Sequence, residues 1–556
     1  MNTAKQARSN YKKDVEMDTD PITVEVIRNS FSSIAAQMNH NLARSAYTPI
    51  IYEMKDCSVA LFDRYAQLVG QSSGLPVFLG TLGPAVEAVI ESFGIDDMRS
   101  GDIYLLNDSY IVGSHLNDVS VLSPIFLEED LIGFGATKAH WMDIGAMNPS
   151  AATNSTEIYQ EGYRLGPTRV FRSGEPDKNV VDFLTRNSRL PKAIWGDLQA
   201  QIAACHTGER EMRKLYRRFG VEAIDSASKQ IFSQSEVAER AAVSRLPDGQ
   251  WTAQGALDSW GPGGEPVPVV TTVTISGDEM HVDLTGSSGQ TPGCLNCGLQ
   301  QTIAGVRLAY KFVIEPTQTI TAGSFRNLKI TVPDRSVFDA REPAACQYYY
   351  THIGLMIDLF LKALSNAAPE AVIAGQPGDA MNIMFTGKHP TSKELFVSGE
   401  ATGVGWGAFD GGDGANGMIT YGGGDLKNFP VEVMEYRFPI RIHEYALRPD
   451  SGGHGRWRGG LGLIRRYETL TDTRLSTWFE RTQTPGRGLL KGGNGKPADV
   501  IVNDGKKTWN ALKCGNIPIP KGTMITVATG GGGGFGAPDK RSQQDIEEDL
   551  LQGYTS

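Results

Sequence analysis

The chain has 556 residues, of which 40% are hydrophobic and 21% are charged, and its formal net charge is −10. This length predicts several domains, and the acidic balance disfavours a nucleic-acid or anionic-membrane partner. No apolar run approaches the roughly 18 residues that a bilayer-spanning helix needs, and the polar N-terminus is unlike a secretory signal. We therefore expect a cytoplasmic protein with no membrane partner.

The first predicted element is a helix that follows a flexible tail over residues 1–19. Asp20 and Pro21 are typical of a helix start. The helix carries one apolar stripe at helical spacing, formed by Ile27, Phe31, Ile34, Met38 and Leu42. After it, residues 57–63 predict a strand, and residues 76–80 predict a loop that leads into a second helix over residues 82–93.

The next segment repeats the spacing His-x-x-Asp, at His115 with Asp118 and again at His140 with Asp143. Residues 101–108, 119–126 and 131–136 predict strands beside these motifs, and strand ends can direct side chains into one pocket. Imidazole and carboxylate ligands suit Zn, Mn or Fe(II) better than Ca or Mg. The pattern predicts a divalent transition-metal site, and the alternative is that both histidines only satisfy hydrogen bonds in the core.

Candidate metal ligands follow from this pattern. His115, Asp118 and His140 are the first three, and Asp143 is either a further ligand or a residue that orients a ligating histidine. Asp56, just before the predicted strand at residues 57–63, is a candidate fourth ligand. A capping role or an ion pair with the neighbouring lysine would also explain Asp56.

Other polar residues near the motifs are candidates for catalysis and substrate binding. Asn107 and Asp108 are candidate substrate-binding residues, with a turn at a strand end as the alternative. Glu161 is a candidate general acid or base, with an ordinary surface position as the alternative. No motif marks a nucleophilic serine or cysteine, so activated water is the favoured nucleophile.

The rest of the chain predicts a β-rich half with many glycines. A helix is predicted over residues 190–219, a hairpin over residues 271–284, and an apolar helix over residues 353–364. Four short strands at residues 431–440, 463–471, 498–502 and 524–528 precede a closing helix at residues 542–551. The 64 glycines predict many turns and close backbone contacts. They match no phosphate-binding loop, which disfavours nucleotide binding by this chain.

These elements together predict a multi-domain α+β protein. Its expected parts are a metal-binding α/β domain over residues 20–245, a β-rich domain over residues 246–345, and a glycine-rich α+β domain over residues 346–556. Cys294 and Cys297 form a lone C-x-x-C pair. Ordinary loop thiols are the favoured interpretation of this pair, and a zinc or redox role is the alternative.

Five segments of the sequence resemble signatures of the hydantoinase B family. They are residues 101–118 (GDIYLLNDSYIVGSHLND), 139–145 (AHWMDIG), 158–162 (IYQEG), 447–462 (LRPDSGGHGRWRGGLG) and 530–538 (GGGGGFGAP). The resemblance runs over nearly the whole chain. It implies the second subunit of an ATP-dependent hydantoinase, oxoprolinase or lactamase, an amidohydrolase acting on small cyclic amides. The alternatives are a subunit of an acetone or acetophenone carboxylase and a non-enzymatic scaffold.

The resemblance also implies a partner and a ligand set. The partner is a hydantoinase A-like, actin-like protein that binds ATP and phosphorylates the substrate carbonyl, in a hetero-oligomer such as an α2β2 complex. The implied metal ligands are Asp56, His115, Asp118 and His140, while Asp143 supports a ligand or acts as a base.

The sequence departs from the family pattern beside these ligands. Both histidines of the family's HIPVHLG string are absent from residues 74–80, and Ser109 stands where the family has proline. Trp141 replaces the second histidine of the family's AHH string. We expect Trp141 to contact substrate and, together with Phe78, to make a more apolar pocket.

Overall fold

The computed structural model describes residues 19–556, so the predicted tail lies outside the described residues except for Thr19. The longer helices are α1 (Pro21–Ser45), α2 (Pro49–Tyr52), α3 (Pro76–Phe93), α4 (Ser109–Val112), α5 (Lys178–Arg186), α6 (Pro191–Phe219), α7 (Val221–Val243), α8 (Leu299–Val313), α9 (Tyr349–Leu364), α10 (Val431–Arg437) and α11 (Gln543–Leu551). Within the described residues, no helix combines the length and the apolar character needed to cross a membrane.

The strands form four sheets. The first two sheets use β1 (Cys57–Asp63), β2 (Leu68–Gln71), β3 (Ile103–Leu106), β4 (Asp118–Leu127), β5 (Asp130–His140), β6 (Thr168–Arg172), β7 (Glu175–Pro176), β8 (Gly249–Leu257), β9 (Val267–Ser276), β10 (Glu279–Asp283) and β11 (Leu328–Thr331). The last two use β12 (Asn382–Lys388), β13 (Leu395–Ala401), β14 (Ile440–Leu447), β15 (Leu463–Thr469), β16 (Thr473–Trp478), β17 (Asp499–Asn503), β18 (Thr508–Asn510), β19 (Lys513–Ile519) and β20 (Met524–Ala528). This mixture confirms the predicted α+β class.

The first sheet is the layer that positions the candidate site. Its order is β2-β1-β5-β4-β3-β6-β7, and all its neighbouring strands are antiparallel. Alternate residues of β1 face opposite sides of the sheet. Leu61 packs in the core with Met38 of α1, whereas Phe62 packs with Leu82 of α3. The central strands are therefore covered by helices on both faces, which explains their continuous burial.

The two N-terminal helices begin at proline. The side chain of Asp20 caps α1 by accepting hydrogen bonds from the backbone amides of Ile22 and Thr23, which confirms the predicted start. The prediction of a loop over residues 76–80 is wrong, because α3 already begins at Pro76. The fixed φ of proline suits the first helical position, where no amide hydrogen is required.

The other three sheets lie further along the chain. They have the orders β11-β10-β9-β8, β13-β12-β16-β19 and β14-β15-β20-β17-β18. The predicted hairpin is the β9–β10 pair, which turns at Gly277 with a positive φ. The domain boundaries at residues 245 and 345 stay predictions.

One of the predicted C-terminal strands is wrong. Residues 431–437 form the helix α10, and β14 starts only at Ile440. Val431 and Val433 suggested the alternating period of a strand, but Met434 carries the core contact of this segment. Pro430 starts the helix by accepting a hydrogen bond from the Met434 amide.

The glycine-rich segments bring backbones into direct contact, as expected. A Cβ atom on Gly532 would lie 1.9 Å from the carbonyl oxygen of Trp406, and one on Gly405 would lie 1.9 Å from that of Gly460. Any larger residue at these positions would push apart segments that are distant in sequence.

Candidate metal centre

The antiparallel register of two central strands creates the candidate site. Asp118 is the first residue of β4 and His140 is the last residue of β5, and the two are directly paired. Cross-strand partners point to the same face of a sheet, so both side chains enter one space. His115 joins them from the loop before β4, where its carbonyl accepts a hydrogen bond from the Asp118 amide.

Three potential ligand atoms converge in this space. His115 Nε2 lies 2.7 Å from Asp118 Oδ1 and 3.1 Å from His140 Nδ1, and His140 Nδ1 lies 3.2 Å from Asp118 Oδ1. All three residues are buried, and their atoms are close enough to hold one metal ion. His115 Nδ1 donates to the carbonyl of Gln347 at 2.9 Å, which leaves the Nε2 lone pair directed at the cluster.

Asp56 completes the cluster from the residue before β1. Its carbonyl accepts a hydrogen bond from the His140 amide, and its side chain lines the same cavity as His115. Asp56 Oδ1 and Asp118 Oδ2 are buried without a hydrogen-bond partner. The alternative ion pair with Lys55 does not form, because the lysine ammonium donates to the Tyr52 carbonyl instead. These unpaired carboxylate oxygens fit a hard or borderline cation.

The titration of the cluster also favours cation binding. Burial would raise the pKa of Asp118, but the charges of and hydrogen bonds from His115 and His140 lower it. Burial likewise opposes protonation of His115, yet the neighbouring Asp118 carboxylate raises its pKa. Burial raises the pKa of Asp56 to about 6. Two acidic groups and two imidazoles thus share one buried space in which a metal ion would replace protons.

A cavity of about 110 Å³ opens from the cluster, and its walls are mainly apolar. Phe78 lines it as expected. Trp141 does not, because it follows His140 and points to the opposite face of the sheet. The Trp141 indole donates to Gln201 Oε1 at 2.9 Å, and the ring packs with Ile194 of α6. The proposed substrate contact of Trp141 stays a prediction without support from its position.

Asp143 and Glu161 make contacts outside the lining of this cavity. Asp143 pairs with the Arg189 guanidinium at 2.7 Å and also accepts from the Arg189 amide. The buried carboxylate of Glu161 accepts hydrogen bonds from Ser155 Oγ and from the amides of Cys346 and Gln347. Burial raises the pKa of Glu161 to about 7. Both residues hold segments next to the ligands, and their roles in acid or base chemistry stay predictions.

Asn107 and Asp108 organise the turn before His115. The Asn107 amide donates to the carbonyls of Leu116 and Tyr163, and its oxygen accepts from the Leu165 amide. Asp108 caps α4 by accepting from the Tyr110 amide. These contacts match the alternative of a turn at a strand end, and substrate binding by the pair stays a prediction.

Several cavity residues carry no recognisable motif. Gln347 and Tyr349 come from the start of α9, which begins at residue 349, before the predicted helix at 353–364. The Tyr349 ring packs edge-on against His115 with centroids 5.1 Å apart. Asn382 and Glu400 come from β12 and β13 in the third sheet. Their proximity depends on tertiary packing, so no local pattern signals it.

Cys294 and Cys297 are buried free thiols, and neither belongs to the His–Asp cluster found among the described residues. The Cys294 thiol donates to the Thr153 carbonyl at 3.2 Å, and the Cys297 thiol lies 3.1 Å from His352 Nε2. Burial raises the pKa of Cys297 to about 12 and lowers that of His352 to about 3, so both stay neutral. They are the ordinary thiols favoured above.

The fold and this site together define a class of protein. A family model described as hydantoinase B/oxoprolinase matches residues 20–538, and the chain therefore belongs to that family. A putative D-/L-hydantoinase component from Pseudomonas sp. (strain NS671), the second of its enzyme, is 30% identical over 96% of this chain and 93% of its own length. The beta chain of the caprolactamase of Pseudomonas jessenii is 29% identical, covering 97% of this chain and 94% of its own.

Solved structures agree with this assignment. The ATP-dependent caprolactamase from Pseudomonas jessenii superimposes with a TM-score of 0.90 at 27% identity, covering 97% of this chain and 94% of that one. A nucleotide-free acetone carboxylase gives a TM-score of 0.89 at 18% identity, covering 99% of this chain and 81% of that one. At that identity the acetone carboxylase shares the fold only.

Proposed function

We propose that this chain is the metal-dependent subunit of an ATP-dependent cyclic amide hydrolase of the hydantoinase, oxoprolinase or lactamase type. The observation that carries the proposal is the convergence of Asp56, His115, Asp118 and His140 at one end of a mainly apolar cavity. Membership in a family with hydantoinase and caprolactamase components supports the reaction class. The substrate is a small cyclic amide, whose ring suits apolar walls.

In this proposal the four residues hold a divalent Zn, Mn or Fe ion. The ion supplies Lewis acidity that turns water into a nucleophile near neutral pH. Gln347 orients His115 through its carbonyl, and Glu161 holds the Gln347 amide in place. Asp143 and Arg189 fix the loop that follows His140. Residues around the ligands therefore act by positioning.

The energy of the reaction comes from a partner in this proposal. A hydantoinase A-like protein binds ATP and phosphorylates the amide oxygen, and the activated ring is then opened in this chain. Both relatives described above are named as one component of a larger enzyme, which supports a hetero-oligomer such as α2β2. The sequence of this chain contains no phosphate-binding loop motif of the common types.

A ketone carboxylase component is the second candidate, and the likeness to acetone carboxylase is the observation that favours it. That likeness is one of fold, at 18% identity, whereas the relatives at 29% and 30% identity are named for caprolactam and hydantoin. Hydrolysis is therefore the primary proposal.

The deciding experiment uses this chain purified with its ATP-binding partner. We expect ATP turnover coupled to ring opening with hydantoin, 5-oxoproline or caprolactam and without bicarbonate. His140→Ala removes a ligand, so elemental analysis should find the bound metal lost and ring opening should stop. His206→Ala, at an exposed histidine on α6, is the matched control and should retain both. ATP consumption that requires bicarbonate and a ketone would refute the hydrolase proposal.

A further inference from the structure

A second, larger cavity lies on the other side of α3 from the metal centre. Its volume is about 670 Å³, within the range of roughly 300–1,000 Å³ typical of small-molecule sites. Val77 and Phe78 of α3 line the metal cavity, whereas Leu79 and Gly83 of the same helix line the second one. The opposite wall of the second cavity is α8.

The second cavity contains a cation whose charge is poorly compensated. Arg307 of α8 lines it and makes no hydrogen bond or ion pair with any residue between 19 and 556. Its guanidinium lies over the Phe325 ring, 5.2 Å from the centroid, and the charge of Glu87 acts on it from nearby. Burial lowers the pKa of Arg307, although a guanidinium remains charged at any physiological pH.

The other two cations at this cavity are already paired. Lys311 donates to Glu239 at 3.1 Å, and Arg326 pairs with Glu236 at 2.9 Å. Gln67 also lines the cavity, and its Oε1 is buried without a hydrogen-bond partner. A buried guanidinium and an unsatisfied amide facing an apolar space are costly unless a ligand pairs with them.

We propose that this cavity binds a small organic anion whose carboxylate or phosphate pairs with Arg307 and whose apolar body packs between α3 and α8. A planar guanidinium can bind either anion through two parallel hydrogen bonds, which explains a single arginine among apolar walls. Gln67 adds an amide for a neutral polar group of the ligand. The site is separate from the metal centre and does not depend on the reaction catalysed there.

Calorimetric titration of the full chain tests this proposal with three probes, hexanoate, hexyl phosphate and uncharged hexanol. We expect saturable binding of at least one anion and none of hexanol. The tighter anion identifies the ligand as a carboxylate or a phosphate. Loss of a charge-assisted hydrogen bond in Arg307→Gln should weaken that binding by about 10–100-fold. His115→Ala should leave it unchanged, because the metal centre is not the site.

A second variant protects the test against misfolding of Arg307→Gln. A Cβ on Gly83 meets only Phe62, at an ordinary 3.5 Å, so Gly83→Leu fills the cavity while favouring the helix, and it should abolish binding. Arg186→Gln, at an arginine on α5 whose side chain is 78% exposed, is the control and should bind as the wild type does. Equal affinity in wild type and Arg307→Gln, or no binding of either anion by the wild type, would overturn the proposal.

Discussion

At the scale of single residues, the candidate centre depends on backbone groups as much as on its ligands. Glu161 gathers the amides of Cys346 and Gln347, and the Gln347 carbonyl then receives the Nδ1 proton of His115. One buried carboxylate therefore fixes the ring orientation of a histidine that it does not touch. Hydrogen bonds that orient ligands in this way typically contribute to metal affinity rather than to the chemical step.

Replacing Glu161 with alanine should separate these two roles. Because the Gln347 segment loses its anchor, we expect metal affinity to fall by about 10–100-fold, while kcat at saturating metal stays close to the wild-type value. Competition with a chelator measures the affinity, and a steady-state assay measures kcat. Glu157→Ala, at an exposed glutamate nearby, should change neither. If kcat collapses while metal affinity is unchanged, Glu161 is instead the acid or base first considered from the sequence.

At the scale of elements, close packing between α8 and the loop after α4 sets the position of His115. Gly113 has a φ of +91°, and a Cβ there would lie 2.3 Å from the Gln301 amide nitrogen of α8. Gly113→Ala should therefore displace the loop and lower both the free energy of unfolding and the metal affinity. Gly94 also has a positive φ, of +70°, but it faces open space. Gly94→Ala should cost only about 1 kcal/mol of backbone strain and leave metal affinity intact.

Urea unfolding and metal titration of both glycine variants test this comparison. Equal metal affinity in the Gly113 and Gly94 variants would show that the loop adapts without α8.

The turn between β1 and β2 holds a buried carboxylate with a distinct pH signature. Asp63 accepts hydrogen bonds from the amides of Tyr65 and Gln67, yet burial raises its pKa to about 7 from an ordinary 3.8. Between these values the folded state keeps a proton that the unfolded state has lost. Stability from this group is therefore greatest at low pH and is lost as pH rises towards 7.

Asp63→Asn should remove this dependence while keeping an oxygen that accepts the same two amide hydrogens. We expect the variant's gain in unfolding free energy over wild type to be larger at about pH 8 than at about pH 5. Urea unfolding at both pH values measures it. A gain that is equal at the two pH values would mean that Asp63 titrates normally.

At the scale of the whole molecule, the sequence predicts what depends on local patterns and misses what depends on packing. The stripe from Ile27 to Leu42 and the two His-x-x-Asp motifs are periodic or repeated, so α1 and the cluster of His115, Asp118 and His140 were predictable. Gln347 and Glu400 reach the cavity from segments more than 200 residues beyond His115 along the chain, and only tertiary structure brings them there. Trp141 was assigned to the pocket from a family string, whereas the alternation of strand residues turns it away from His140.

The last prediction concerns how the C-terminal sheets are joined beside the cavity. Glu400 of β13 and Arg465 of β15 belong to different sheets, and their side chains pair at 2.8 Å with no solvent exposure. Arg465→Met leaves the Glu400 carboxylate buried without its cation, so it should lower the free energy of unfolding by about 3–5 kcal/mol. Adding Glu400→Gln removes that charge and retains an oxygen for the Phe429 amide, so the double variant should recover most of the loss. Arg466→Met is the matched control, since Arg466 pairs with Glu444 on the surface and should contribute less than about 1 kcal/mol. Urea unfolding of the four proteins decides the question, because similar costs at Arg465 and Arg466 would mean that the buried pair does not join the sheets.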